Sequence, residues 1–382
     1  MDKKKILKEL LSIVNKMIPK KDIILFDSYP DFCDNSYALY KYIIDNRREL
    51  YGKYQIIWAK HGNVNFFEGG GSTKVIEKKS LKGIMTFLRA KYVISTHGYF
   101  TEVYSGAGQK QINLWHGCGY KDLTVQDRGW RGDYNIVTAN PYQKLYSEFF
   151  SIDEKNVFIT GYPRNDLLFE THDALSKLGV DKSKYGKIIL WMPTYRKATQ
   201  GHEGIDGNEK SFVASNLTNT QAVALNTILL AKNILMIVKT HPMEYSSLKN
   251  LEGYSNIFCI SSQQLQDKGV QLYELLTESD TLLSDYSSLV VDYLLLDKPI
   301  VMVLSDKKEY QESRGFVFSP IEEYFPGPVI TNLKDLLAYI SAPEQIDIIW
   351  EERRTRLTNF FHKYKDGDSC KRVTELFWGK IN

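Results

Sequence analysis

At 382 residues the chain exceeds one ordinary hydrophobic core and fits two domains of roughly 150–200 residues each. Hydrophobic residues at 43% and charged residues at 25% suit a well-packed globular protein, and a net charge of +3 makes no case for nucleic acid or a strongly acidic partner. Cys33, Cys118, Cys259 and Cys370 lie far apart without CxxC spacing, which suggests neither a zinc site nor a disulfide framework and makes a reducing compartment the expectation.

The chain opens on an amphipathic helix. Ile6, Leu7, Leu10, Leu11, Val14, Met17 and Ile18 share one face; Lys4, Lys5, Lys8, Glu9, Ser12, Asn15 and Lys16 share the other, and Pro19 ends it. Two readings stay open: a helix packed on the protein's own core with its lysines solvated, or an interfacial helix lying on an anionic membrane. No small-residue cleavage site follows, so it does not read as a signal peptide. The long apolar stretch at 281–304 is broken by Asp285, Asp292, Asp297 and Lys298, short of the ~20 clean residues of a membrane span, and a cytoplasmic protein is expected.

From residue 21 short apolar runs alternate with helical segments. Strands are expected at 23–26, 54–59, 92–95, 111–115 and 157–159, with helices at 34–45, 81–90 and 142–150. The polar segment 171–184 reads as a linker. The rhythm then restarts, with strands at 187–191, 235–239, 257–260, 281–284 and 300–303 and helices near 216–231, 271–278 and 289–296. The loop 197–210, with Gly201, Gly204 and Gly207 among charges, has nothing to bury. The expected fold is therefore α/β: two Rossmann-like domains with a cleft between them. The expected boundaries are a basic helix at 1–20, an acceptor-side domain at 21–175, a donor-binding domain at 176–345, and a helical tail at 346–382 that could cross back to the first domain.

In open α/β sheets, ligands sit beyond the carboxyl ends of the strands, so residues just after the strands matter most. Trp115-His116-Gly117 follows one such strand, and an imidazole there suits a general base. Lys239-Thr240-His241-Pro242 repeats the arrangement in the second half, with Pro242 stiffening the turn. In Ser284-Asp285-Tyr286-Ser287-Ser288 the two serines open a helix. Plain capping needs one of them, and with Asp285 and Asp292 the segment suggests phosphate binding. In Pro193-Thr194-Tyr195-Arg196-Lys197, Arg196 could clamp a diphosphate or be a solvated loop cation. There is no GxxxxGK[ST] and no GxGxxG, and no cluster shows metal-ligand spacing.

Taken in order, these segments resemble the CDP-glycerol glycerophosphotransferase family of teichoic-acid and capsule synthesis. The likeness runs through Trp115-His116-Gly117, Gly161-Tyr162-Pro163-Arg164-Asn165-Asp166, Met192 to Arg196, His241-Pro242 and Ser284 to Ser288. It continues through Asp297-Lys298-Pro299, Arg314-Gly315-Phe316, Pro326-Gly327-Pro328 and Asp366-Gly367 with Ser369 and Arg372. The resemblance implies a glycosyltransferase-B-like fold and transfer of glycerol phosphate from CDP-glycerol with release of CMP. It implies catalytic roles for His116 and His241, and donor binding by Arg196, Ser287, Ser288 and Arg314, beside Asp285 and Asp292. Trp115, Gly117 and Lys121 would line the acceptor side. Where several members carry Thr-Pro-Leu-Lys, this chain has Cys118-Gly119-Tyr120-Lys121, which leaves the shape of that side open.

The expected partners are CDP-glycerol or CDP-ribitol as substrate, a prenyl-diphosphate-linked saccharide acceptor, and an anionic membrane surface through Lys3 to Lys21. That would make the protein peripheral on the inner face of the membrane, with no cofactor, metal or nucleic acid. A nucleotide-sugar glycosyltransferase or epimerase of the same fold and a catalytically silent membrane scaffold are the rivals.

Overall fold

The computed structural model describes residues 3–62, 73–97, 103–123, 132–194, 211–239 and 245–380. Its strands are β1 (Lys21–Asp27), β2 (Gln55–Lys60), β3 (Lys74–Glu77), β4 (Ala90–Ser95), β5 (Lys110–Asn113), β6 (Tyr134–Val137) and β7 (Val157–Ile159). A second series comprises β8 (Lys187–Met192), β9 (Ile234–Val238), β10 (Ile257–Cys259), β11 (Thr281–Ser284), β12 (Ile300–Val303) and β13 (Val329–Ile330). Among the described residues they form two sheets, ordered β3-β2-β1-β4-β5-β6-β7 and β10-β9-β8-β11-β12-β13, and the pairings within each are parallel. The α/β class and the two-sheet architecture expected from the sequence are present. The expected strands lie within a few residues of these, while β3, β6 and β13 went unread.

The chain divides into two compact units, one of Met1–Cys118, Gln126–Phe169 and His362–Asn382, the other of Gly119–Val125 and Glu170–Phe361. The expected tail 346–382 is thus divided between them.

In the first unit, β1 and β2 pair Ile24 with Ile56 and Phe26 with Trp58, and between these Leu25 with Ile57. Alternation sends the two sets to opposite faces, and both faces are covered, as a parallel sheet requires. On one face Phe26 stacks on Trp58 with centroids 5.6 Å apart, beside Tyr40 of the helix Asp34–Asn46. On the other, Ile23, Leu25, Ile57 and Ala59 pack with Phe87 and Leu88. The second unit repeats the plan around Trp191, Met236, Val238, Leu283 and Val301.

The N-terminal helix Lys3–Met17 departs from its expected orientation. Ser12 and Asn15, placed on the solvent side by the sequence pattern, are buried. Ser12 Oγ accepts from Tyr104 N at 3.0 Å, and Asn15 Nδ2 donates to Tyr104 O and Gln109 Oε1, each at 2.8 Å. Leu11 and Ile18 pack against the core, while Leu7, Leu10, Ile13, Val14 and Met17 are exposed, Met17 at 79%. The helix docks through a polar strip whose hydrogen bonds satisfy both backbone groups of Tyr104 and the side-chain oxygen of Gln109.

Two motifs of the resemblance form one clasp in the first unit. Asp166 accepts from the N–H groups of Ser369 (2.8 Å) and Cys370 (2.7 Å), at the start of the helix Ser369–Trp378. Burial pushes its carboxyl up to about 6 against the pull of those donors. Arg372 donates to Thr160 O at 2.8 Å, pairs with Asp366, and lies 3.9 Å from the ring centroid of Tyr364.

In the second unit Gly327 lets the chain entering β13 pass close against the start of β12, because a Cβ there would lie 1.6 Å from Ile300 O. Gly52, in the helix Arg48–Lys53, has nothing within 4 Å of the same position. Gly327→Ala should therefore lower the thermal midpoint, at a cost of about 1–3 kcal/mol. Gly52→Ala should raise it slightly, since Gly costs roughly 0.5–1 kcal/mol against Ala in a helix. Thermal unfolding of the two variants beside the parent checks both signs.

Candidate active site

In an open parallel sheet the carboxyl ends share one side, and the crevice opens where the chain reverses its direction of travel across the sheet. In the first sheet that point lies between β1 and β4, and in the second between β8 and β11.

After β5 the first unit makes a turn that ordinary residues avoid. Trp115 has φ +53 and Gly117 has φ +127, the latter a glycine's region. Trp115 N donates to Asn113 Oδ1 at 2.9 Å. Buried Asn35 donates to the carbonyls of Leu114 (3.3 Å) and Trp115 (3.0 Å). Arg164 donates to His116 O at 3.1 Å while paired with Asp34 at 2.7 Å, and Tyr146 donates to Gly117 O at 2.8 Å. The backbone on both sides of His116 is therefore fixed. Its half-buried ring has Nδ1 at 3.5 Å from Thr96 O, so a proton on Nδ1 places the lone pair on Nε2, the arrangement a base needs.

Trp115 does not line an acceptor surface as expected. It is 1% exposed and packs on Phe149 and Phe150, giving His116 an aromatic backing at 3.9 Å between ring centroids. Gly117 acts through its backbone. Behind it Cys118 Sγ lies 3.0 Å from Tyr162 Oη, and burial raises the phenols of Tyr146 and Tyr162 well above their ordinary range.

Further residues that the sequence reading passed over stand at the neighbouring strand ends: Tyr29 and Asp31 after β1, His61 after β2 and His97 after β4. The signal was present, since Lys60-His61-Gly62 and Thr96-His97-Gly98 repeat the strand-His-Gly order of Trp115-His116-Gly117.

In the second unit the ends of β8 and β11 are tied together. Ser284 Oγ donates to Met192 O at 2.6 Å. Asp285 is 1% exposed, and its carboxylate accepts from Thr194 N at 3.0 Å and Thr194 Oγ1 at 2.9 Å. Asp285 is thus a fastener of the Pro193-Thr194 loop and not a surface that meets a donor. Asp292, also expected at the donor, is 0% exposed and accepts from Tyr273 Oη at 2.5 Å, inside the unit's packing. Ser287 caps the helix Ser288–Tyr293, accepting from Leu289 N at 3.2 Å, and its hydroxyl can still donate. Arg196, His241 and the loop 197–210 lie outside the described residues.

Lys121, expected on the acceptor side, belongs to this second unit. It bridges Phe316, and its ammonium lies 5.7 Å from the Tyr310 ring. Tyr120 is buried and donates to Tyr324 O at 3.1 Å, and Asp122 N donates to Gly315 O at 3.2 Å, next to Arg314. A Cβ on Gly119 would lie 3.0 Å from Ser288 Cα, so glycine allows this strand of chain to reach the helix start.

Two all-parallel sheets with histidine- and serine-bearing turns at their carboxyl ends define a glycosyltransferase-B-like protein. The wall teichoic acid polymerase TagF, in a form soaked with CDPG, superposes at a TM-score of 0.77 with 22% identity, covering 98% of this chain and 92% of that one. The chain belongs to the CDP-glycerol:poly(glycerophosphate) glycerophosphotransferase family, whose model matches residues 10–379. Among its relatives, the teichoic acid glycerol-phosphate transferase of Staphylococcus aureus is 25% identical over 94% of each chain. The teichoic acid poly(glycerol phosphate) polymerase of Bacillus spizizenii is 25% identical over 98% of this chain and 97% of its own. The ribitol-phosphate polymerase TarL of Staphylococcus aureus is 26% identical over 95% of this chain and 63% of its own.

Removing Asp285 should expose the fastening. Asp285→Ala leaves the Thr194 donors unmatched and should cost about 1–3 kcal/mol in urea unfolding. Asp285→Asn, which keeps an acceptor oxygen, should cost less.

Proposed function

We propose that this protein transfers glycerol phosphate from CDP-glycerol to a hydroxyl of a lipid-linked teichoic-acid or capsule acceptor, releasing CMP. The observation that carries this reading is the fixed turn at His116, which holds an imidazole beside the sheet's switch point with Nδ1 toward Thr96 O. Family membership supplies the chemistry around it.

In the proposed step the acceptor hydroxyl gives its proton to His116 Nε2. The oxygen attacks the β-phosphorus in line, and the bond from that phosphorus to the bridging oxygen breaks. CMP leaves with the electron pair. Positioning and charge stabilisation provide most of the gain in such transfers. The hydroxyls of Ser287 and Ser288, with Arg314, Arg196 and His241, would hold the diphosphate; Asp285 would act by keeping the Thr194 loop in place. No cofactor is invoked, because CDP-glycerol is itself the substrate. CDP-ribitol is the second reading, favoured by ribitol-phosphate relatives that match as closely as glycerol-phosphate ones.

We further propose that the N-terminal helix rests on an anionic membrane. Leu7, Leu10, Val14 and Met17 stand exposed along it, and the sequence of the segment is rich in lysine, with Lys3, Lys4, Lys5, Lys8 and Lys16. No helix among the described residues is long and apolar enough to cross a membrane.

His116→Ala should lose ~10²–10⁴ in turnover, the range of a general base, while CDP-glycerol still binds. CMP release and donor calorimetry on the variant check this; undiminished release would remove His116 from the role. Replacing Leu10 and Val14 with Glu should reduce sedimentation with anionic vesicles and leave folding unchanged. Equal sedimentation would sink the membrane contact.

A further inference from the structure

His97 is placed as a working residue is placed. It follows β4, one of the two strands at the switch point of the first sheet, and β5, which carries His116, is the next strand over. Its imidazole lies flat on that of His116, with ring centroids 4.2 Å apart and planes inclined by 12°. Tyr29, 59% exposed, meets His97 at 6.1 Å and His61 at 5.8 Å, in both cases near-perpendicular. Asp31 anchors the far end, accepting from the backbone N–H groups of His61 and Gly62 and lying 3.0 Å from His61 Nδ1. Packing alone does not call for this arrangement, since a leucine or phenylalanine would cover His116 with less polar cost.

We propose that His97 is a positioning residue for His116, its stacked imidazole opposing protonation of His116 so that near neutral pH the pair carries one positive charge at most and His116 stays a proton acceptor. The inference rests on the reading of His116 as the base. Two imidazolium rings face to face at this spacing repel, and such a pair titrates as a unit.

The surrounding charges decide which ring takes the single proton. Among the described contacts, Arg164 donates to the His116 carbonyl, and its charge is paired with that of Asp34. On the other side, the contacts of His97 lead through Tyr29 and His61 to the carboxylate of Asp31. Asp27 and Lys78, at the ends of β1 and β3, are buried and paired with each other. The phenols of Tyr146 and Tyr162 are kept neutral by burial. The carboxylate of Asp31 on the His97 side favours the proton on His97, while the Arg164–Asp34 pair adds little net charge on the His116 side.

The test is a pH titration of the histidine rings by NMR on protein carrying 13C-labelled histidine, with His116 assigned by loss of its signal in His116→Gln. His97→Phe keeps a stacked ring but removes the competing charge, and should raise the titration midpoint of His116 by about one pH unit. His97→Arg fixes a positive charge beside it and should lower the midpoint. Should either variant fail to fold, His97→Gln, polar and uncharged, is expected to raise it as His97→Phe does. The acid limb of kcat/KM for CMP release should move with the midpoint in each variant. Coincident midpoints in the parent and the variants would overturn the pairing, whatever the activity. Shifted midpoints in a protein that releases no CMP from CDP-glycerol or CDP-ribitol would support the pairing and overturn its role in transfer.

Discussion

The backbone around His116 is held against its own preferences, and the first unit is built to hold it. A non-glycine residue at φ +53 costs energy that the surroundings must offset. Three separate elements do so: Asn35 from the helix after β1, Arg164 from the segment after β7, and Tyr146 from the helix after β6. Arg164 is in turn steadied by Asp34, and the segment carrying it is fixed through Asp166 to the C-terminal helix. The motif Gly161 to Asp166 and the motif Asp366 to Arg372 are therefore mostly scaffold, with the position of one imidazole as their common result.

The second unit solves a similar problem with a carboxylate. Asp285 joins the ends of β8 and β11 across the switch point by accepting the Thr194 donors. Gly119 lets the chain after Cys118 approach Ser288 closely, since a Cβ there would lie 3.0 Å from Ser288 Cα and force a small shift. In both units the residues after the strands divide into those that hold the backbone and those whose side chains remain at the strand ends.

Much of this was legible in the sequence because parallel strands buried on both faces appear as short apolar runs. The strands at 187–191 and 281–284 are of that kind, and the structure has them as β8 and β11. β3 and β13 escaped because they are short edge strands, and β6 because Tyr134 and Asn135 dilute its apolar signal. Asp292 could not be read correctly, since only the fold shows that Tyr273 reaches it in the core. The same holds for Ser12 and Asn15, whose partners Tyr104 and Gln109 are about ninety positions away in the chain. His97 was within reach, because its strand-His-Gly context matches that of His116; its value came from the strand order, which sequence periodicity does not supply.

In the proposed transfer the bond broken joins the β-phosphorus to the oxygen that bridges the donor's two phosphorus atoms, and not a phosphate to the polyol. The most direct measurement is transfer from CDP-glycerol labelled with 32P at the β-phosphorus, with a lipid-linked acceptor present. The label should enter the acceptor product and leave the released CMP unlabelled. Label recovered in released CDP would contradict it and make the protein a glycosyl-type transferase on the same fold.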